Sequence, residues 1–322
     1  MNISPEDRKQ LDEQGYLVVE SLFDLEADIA PIERDYAEKL ETLATEWKAQ
    51  GVIKDSHADL SFGPRLIKIM QDGGVNWAQP FDISLPQTQI GPDTPIHTTE
   101  PVFNLLTHRK LLDTVEQLVG SEIYSNPIQH TRIKPPEHMV PADARNGLVV
   151  RVGWHQDQGV ATTEQDDVPV LTVWIPITDA TVQNGCLAVV PGSHKRELAT
   201  HCPGSGPDGG LQIPSKLIQG KPIPVPIKRG GALLMHRLTM HASLVNQSDD
   251  IRWSFDLRYQ PTGLPTGRPA FPGFVARSRQ NPDSVLRDWR DWSQLWLDAR
   301  ERLSEGMPYK FNRWGAGAEA CA

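Results

Sequence analysis

Cysteine is scarce: the chain has three in 322 residues. Cys186, Cys202 and Cys321 are widely spaced and form no CxxC pair. An odd, dispersed set argues against a disulfide framework and against a cysteine-bound zinc. A basic tract is also missing. Lys+Arg number 32 against 41 Asp+Glu, a formal net charge of −9, which speaks against nucleic acid and anionic membrane as partners. No apolar run approaches the ~18 residues of a membrane span. The opening stretch Met1-Asn2-Ile3-Ser4-Pro5-Glu6-Asp7-Arg8 lacks the apolar centre of a secretion signal. These absences lead to the expectation of a reduced, cytoplasmic protein whose chemistry rests on His, Asp, Glu and Arg. With 39% hydrophobic and 23% charged residues, collagen, coiled coil and disorder are excluded.

What is abundant is proline, 27 residues, and it is unevenly placed. It is missing from 6–30, 32–63, 102–126 and 283–307, and most of it falls within 121–272. Proline is kept out of helix interiors and central strands, so helical ends should flank a middle of short strands and turns. Ser4-Pro5-Glu6 reads as a helix start, and Gly15 as its stop. Tyr16–Val19 reads as a strand, 25–50 as a long helix, Leu60–Pro64 as a loop and 101–119 as one helix stopped by Gly120. Strand runs follow at Glu122–Ser125, Ile128–Lys134, Leu148–Trp154, Val168–Ile175, Leu187–Val190, Ile223–Ile227, Ala232–His236, His241–Asn246 and Ile251–Gln260. Many short strands bounded by turn residues predict a barrel or sandwich. The segment 201–216 reads as a long irregular insert. From Pro282 to Leu303 the pattern is helical again, with Trp289, Trp292 and Trp296 spaced for core packing.

The chemistry concentrates in Gly153-Trp154-His155-Gln156-Asp157. Residues two apart on a strand share a face, so His155 and Asp157 can offer an imidazole and a carboxylate to one point. A histidine from a distant strand would complete a two-His-one-carboxylate face, which leaves open positions and suits non-heme Fe(II). The triplet alone is weak, since ten histidines supply such a pattern by chance, and His57-Ala58-Asp59 is a second instance. His57 lies in a loop and reads as a surface residue, whereas His155 ends a β-rich run. Two residues compete for the distal ligand, His236 and His241. Arg252 follows His241 by eleven positions in a strand. A buried guanidinium facing a metal needs a partner, and a dicarboxylate would supply one through bidentate pairing.

With these motifs on the page, the chain resembles the phytanoyl-CoA dioxygenase family of Fe(II)/2-oxoglutarate-dependent oxygenases over roughly residues 10–260. The resemblance rests on Gly15-Tyr16-Leu17-Val18-Val19, Pro101-Val102-Phe103-Asn104-Leu105-Leu106, His155-Gln156-Asp157, the run from Asn184 to Lys195, and His241 with Arg252. It implies a mainly β fold with flanking helices around a double-stranded β-helix, the jelly-roll or cupin-like core. It implies one oxygenase domain over 1–322, with 1–120 as mainly helical support, 121–262 as the core with the metal site, and 263–322 as loop and helix. It implies Fe(II), with 2-oxoglutarate and O2 as co-substrates, oxidising a small molecule with release of succinate and CO2. His155, Asp157 and His241 fall on the metal triad, and Arg252 on the residue that grips 2-oxoglutarate. Ser243, Trp174, Lys68 and His130 fall on or near further co-substrate contacts, with Arg132 on the same strand as His130. Asp157 favours hydroxylation, desaturation or ring formation over halogenation, because halogenating relatives carry a small residue there. The substrate stays open between an acyl-CoA and a small metabolite or natural-product intermediate, and homo-oligomerisation stays open too. The competing readings are a metal-dependent cupin-like isomerase or hydrolase, and a non-catalytic small-molecule binding protein. The segments 72–100, 135–147 and 201–216 are expected to frame the pocket mouth.

Overall fold

The computed structural model describes residues 2–73, 78–141, 152–203, 210–306, 308–314 and 321. Helix α1 (Pro5–Gln14) starts where expected. The Ser4 hydroxyl accepts from the Asp7 N–H and the Asp7 carboxylate accepts from the Ser4 N–H, a reciprocal cap. Gly15 ends the helix at φ 81°, and a side chain there would collide with His194 and Thr239, so conformation and space both require glycine. Strand β1 (Tyr16–Val19) follows, then a π-helical turn (Leu25–Ile29) that leads into α2 (Ala30–Ala49). Helix α3 (Phe62–Gly73) stands where the Leu60–Pro64 loop is expected. Its Leu66, Ile67, Ile69 and Met70 are buried and Lys68 is exposed, an amphipathic split that stabilises a short helix by tertiary packing. The single helix expected over 101–119 is two, α4 (Glu100–Leu106) and α5 (Arg109–Val119). Between them the Thr107 hydroxyl donates to the Phe103 carbonyl at 2.8 Å, a side-chain bond of the kind that competes with helix continuation.

The strands are β2 (Ile123–Ser125), β3 (His130–Lys134), β4 (Leu171–Pro176), β5 (Leu187–Val189), β6 (Cys202–Pro203), β7 (Leu211–Gln212), β8 (Ile223–Val225), β9 (Ala232–His236), β10 (His241–Ser243), β11 (Arg252–Pro261) and β12 (Phe274–Arg277), followed by α6 (Trp289–Ser304). The larger sheet runs β1-β9-β4-β11-β2-β12, with β3 also on β11, and the smaller runs β10-β5-β8. All their pairings are antiparallel. These two sheets are those of a jelly roll. The paired β6 and β7 lie in the stretch expected to be irregular. The strand expected at Leu148–Trp154 falls largely outside the described residues. The sheet draws on all three sections of the chain, since β1 comes from the first 120 residues and β12 from those after 262.

Strand β11 sorts the molecule into outside and inside. Trp253, Phe255, Leu257 and Tyr259 alternate along it and join a core with Tyr36, Leu40, Leu66 and Met70 of the helices. Burial of each such side chain contributes roughly 1.5–3 kcal/mol. The tryptophan stripe of α6 packs in the same core through Trp292 and Trp296. The intervening positions, Arg252, Asp256 and Arg258, turn the other way and line a cavity. Trp174, Leu187 and Met235 share that inner side.

The expectation of unpaired cysteines is corrected here: Cys202 and Cys321 form a disulfide across 119 residues, and Cys186 is free and buried. Cysteine scarcity therefore gives no ground for a reducing compartment. The bond joins the tail to the β-core, and the tail makes further contacts there. Arg313 donates to the carbonyls of Gln158, Ala161 and Thr162 and to Asp166. The Trp314 indole donates to the Gly159 carbonyl at 2.6 Å and its ring lies 5.2 Å from that of His201.

Candidate metal centre

His155 and His241 face each other across an isolated antiparallel bridge. The His155 N–H donates to the His241 carbonyl at 2.9 Å, and the His241 N–H returns to the His155 carbonyl at 3.0 Å. Directly opposed residues on antiparallel strands project to the same side, so the two rings lie 4.1 Å apart. Each imidazole is pinned through Nδ1, His155 to the Gly153 carbonyl and His241 to the Thr239 carbonyl, both at 2.9 Å. A carbonyl can only accept, so Nδ1 carries the proton and Nε2 keeps its lone pair for a metal. Burial, together with the neighbouring His241, holds the His155 pKa well below the usual histidine range, which keeps that ring neutral.

Asp157 opens a short 3-10 turn two residues on. Its Oδ1 lies 3.8 Å from Nε2 of His155 and 3.9 Å from Nε2 of His241. Burial alone would raise its pKa. The Arg258 guanidinium, the two imidazoles and the Thr172 hydroxyl outweigh that and hold the carboxyl below the ordinary carboxylate range. Arg258 donates to Oδ1 and Thr172 to Oδ2. Among the described residues this is the one His/Cys/Asp/Glu cluster with metal-binding geometry, and all three members are buried. Two imidazoles anchored through Nδ1 and an ionised carboxylate, each held by a further hydrogen bond, match the needs of a divalent transition metal. His201 stands behind the turn, its Nε2 accepting from the Gln156 N–H at 2.9 Å.

The cavity beside this cluster measures about 400 Å³ and is lined by His155 and His241. Arg252 lies in its wall, 1% exposed. It donates to the Gly185 carbonyl at 3.2 Å and the Ser254 hydroxyl at 2.8 Å, and its guanidinium sits 5.5 Å from the Trp174 ring. No carboxylate among the described residues pairs with it. Burial, aided by the charge of Arg132, lowers its pKa to about 10, which leaves it cationic at neutral pH. Ser243 lines the same cavity; its oxygen accepts from the Val152 N–H at 2.8 Å, so the hydroxyl proton is free to donate. His130 is in the wall too, held by Asp82 at 2.8 Å.

Lys68 lies elsewhere, exposed on α3 and outside the cavity lining. The lysine in the wall is Lys134, 1% exposed and paired in register with Arg252. Its signal was the period-two series His130, Arg132, Lys134 on β3. Arg258 and Arg268, also in the wall, were not distinguished by the sequence pattern. His236 is turned away, with its ring 5.2 Å from His194. His57 bonds Asp72 at 2.8 Å and stands outside the cluster. Replacing His57 or Lys68 with alanine should leave turnover within about twofold of wild type, as for substitutions remote from a site, whereas His155→Ala should not. Steady-state rates of the three variants check this. Of the segments expected at the pocket mouth, 72–100 contributes Gln87 and 201–216 contributes Gly210, Leu211 and Gln212. Part of 135–147 lies outside the described residues.

Comparison with known proteins bears on this arrangement. The chain is 26% identical over 276 residues to phytanoyl-CoA dioxygenase domain-containing protein 1 of Mus musculus, covering 79% of this chain and 88% of that one. Among solved structures it resembles the non-heme monooxygenase ThoJ, with a TM-score of 0.56 and 17% identity, covering 92% of this chain and 96% of that one. It also resembles the epimerase SnoN, crystallised with Fe3+, alpha ketoglutarate and nogalamycin RO, with a TM-score of 0.51 and 20% identity over 81% of this chain and 86% of that one. At these identities the structures establish the shared fold. The model of the family Phytanoyl-CoA dioxygenase (PhyH) matches residues 11–254, a span that holds all three clustered ligands and Arg252. The chain belongs to the phytanoyl-CoA dioxygenase family.

Proposed function

We propose that the chain is an Fe(II)- and 2-oxoglutarate-dependent oxygenase acting on a small molecule. The observation that carries this reading is one cavity, lined by His155 and His241 of the buried His155-Asp157-His241 cluster, whose wall also carries a buried arginine that pairs with no carboxylate among the described residues. A metal site alone would serve many chemistries. A metal site facing an unmatched guanidinium calls for an anionic co-substrate, because an isolated buried charge is costly.

His155, Asp157 and His241 would hold the iron. Arg252 would receive the distal carboxylate of 2-oxoglutarate, with the Ser243 hydroxyl donating a further bond and Lys134 adding charge. The flat Trp174 ring backs the guanidinium and limits its rotation. When bound, the iron and 2-oxoglutarate together reduce O2, with release of succinate and CO2, and oxidise a C–H bond of the substrate. Ile128, Val160, Leu187 and Met235 give the cavity apolar walls, which exclude water and strengthen each charge contact within. Retention of Asp157 favours hydroxylation, desaturation or ring closure. No helix among the described residues is long and apolar enough to cross a membrane, and a cytoplasmic setting is proposed only from the sequence.

The test is anaerobic reconstitution with Fe(II), followed by 2-oxoglutarate and air. Succinate should form in proportion to 2-oxoglutarate consumed, and slow basal turnover should accelerate with a true substrate. Metal-dependent conversion of a substrate with no 2-oxoglutarate consumed would instead identify a cupin-like isomerase or hydrolase.

A further inference from the structure

The cavity of this acidic chain is basic. Arg132, Lys134, Arg252, Arg258 and Arg268 line it, against Asp256 as the one acidic residue among the described lining residues, with Asp157 just behind His155 and His241. Arg258 is matched by Asp157 and by Asp256, the latter at 3.4 Å. Arg252 and Lys134 face each other in register, at the end assigned above to 2-oxoglutarate. Two cations are left over. Arg132 has no ion-pair partner among the described residues.

Arg268 is the more telling of the two. It is 1% exposed. One nitrogen, Nη2, donates to the Val160 carbonyl at 2.8 Å and weakly to the Phe311 carbonyl at 3.5 Å. Its Nε and Nη1 are buried with no acceptor. The guanidinium lies 5.8 Å from the Phe271 ring and 5.2 Å from the Phe311 ring, so aromatic faces hold it without neutralising it. A buried donor left without an acceptor is costly, and more so when it is charged. Such a group persists where a ligand completes it.

Position separates this charge from the co-substrate end. Arg252 and Arg258 are six residues apart on β11, a span of roughly 20 Å at a strand's rise. Arg258 binds Asp157, and Arg268 binds the Val160 carbonyl three residues on, so Arg268 belongs to the Arg258 end. Arg132 pairs in register with Ser254, between Arg252 and Arg258 on β11. The backbone that Arg268 holds, at Val160, closes the 3-10 turn begun by Asp157.

We propose that the substrate is itself an oxyanion, a small molecule whose carboxylate or phosphate is bound by Arg268 with Arg132 as second contact, at the opposite end of the cavity from Arg252. This deepens the oxygenase reading and rests on it for the assignment of Arg252. Arg268 is then a specificity-determining residue: it anchors the charged end, and the apolar body lies along Ile128 and Val160 toward the metal cluster. The depth of Arg268 favours a compact acid over a large thioester whose charges stay at the mouth.

The test is calorimetric titration of full-length protein loaded with Fe(II) and 2-oxoglutarate without O2. Matched pairs serve as probes: benzoate against benzamide, hexanoate against hexanamide, and phenyl phosphate against phenol. The acids should bind at least about tenfold tighter than their neutral partners, the gap that one charged contact of 1.4 kcal/mol or more produces. The larger excess tells carboxylate from phosphate. Arg268→Met should abolish the preference, Arg268→Lys should keep part of it, and 2-oxoglutarate affinity should change less than about threefold in Arg268→Met. Equal or undetectable binding of acid and neutral partner by wild type overturns the proposal without any variant having to fold. An Arg268→Met variant that loses 2-oxoglutarate as severely as Arg252→Met overturns it as well, by moving Arg268 to the co-substrate end. Failure of wild type to bind 2-oxoglutarate sinks the oxygenase reading instead, and the acid–amide comparison then runs on the metal-loaded protein alone.

Discussion

Asp157→Ala should end 2-oxoglutarate turnover, with a fall of at least about a thousandfold. Losing only a supporting partner of a metal ligand commonly costs ten- to a hundredfold, and Asp157 is proposed as a ligand itself, with two supports of its own. The substitution removes the sole carboxylate of the cluster. It also leaves Arg258, which donates to that carboxylate, with Asp256 at 3.4 Å as its remaining acidic partner. The local charge then turns positive where a dication must sit. Iron content after anaerobic loading and succinate release should fall together. Asp157→Asn preserves shape, keeps the Thr172 contact and removes the charge, so it separates coordination from packing. Turnover above about a tenth of wild type in the alanine variant would take Asp157 out of the ligand set.

Arg252→Met should raise the apparent KM for 2-oxoglutarate by about a hundredfold or more, and change kcat at saturating co-substrate much less. Truncating one partner of a buried, hydrogen-bonded charge pair costs about 2–5 kcal/mol, and each 1.4 kcal/mol is tenfold. Methionine fills the volume beside Trp174 and leaves the cation's place empty of charge. Arg252→Lys keeps the charge and loses the planar fork that fits a carboxylate, so its KM should fall between the two. Titration of 2-oxoglutarate against succinate formation gives both constants. An unchanged KM in Arg252→Met would transfer the co-substrate carboxylate to Lys134 or Arg132.

The triad was legible in sequence because its logic is local on one side and periodic on the other. His155 and Asp157 are two apart, and a β-rich run precedes them. The choice between His241 and His236 was not legible from spacing, since each sits at a strand end. The bridge between His155 and His241 brings His241 into the cluster, and a bridge between residues 86 positions apart leaves no local trace. The resemblance pointed to Lys68, and nothing in its local spacing showed which way the side chain faces. Once α3 forms, Leu66, Ile67, Ile69 and Met70 claim the inner side and turn the lysine outward. Lys134 and Arg258 escaped for the opposite reason, and Arg268 because it stands in the loop between β11 and β12. A cation on a strand reads as solvent-facing unless both faces of the sheet are known to be covered, and here helices cover one face and the smaller sheet the other. The disulfide joins residues 119 apart, and with three cysteines no spacing rule selects the pair.

The tail gives the site an unexpected dependence. Gln158, Gly159, Ala161 and Thr162 follow directly on the ligand Asp157, and their carbonyls find donors in Arg313 and Trp314. Arg313 and Trp314 thus act as a clasp on the metal loop, in a tail latched by the bond between Cys202 and Cys321. Cleavage after Phe311, far from the cluster in sequence, would free Arg313 and Trp314 from the metal loop only once the Cys202–Cys321 bond that still tethers them is also reduced. Iron content should report cleavage with reduction before any loss of secondary structure does.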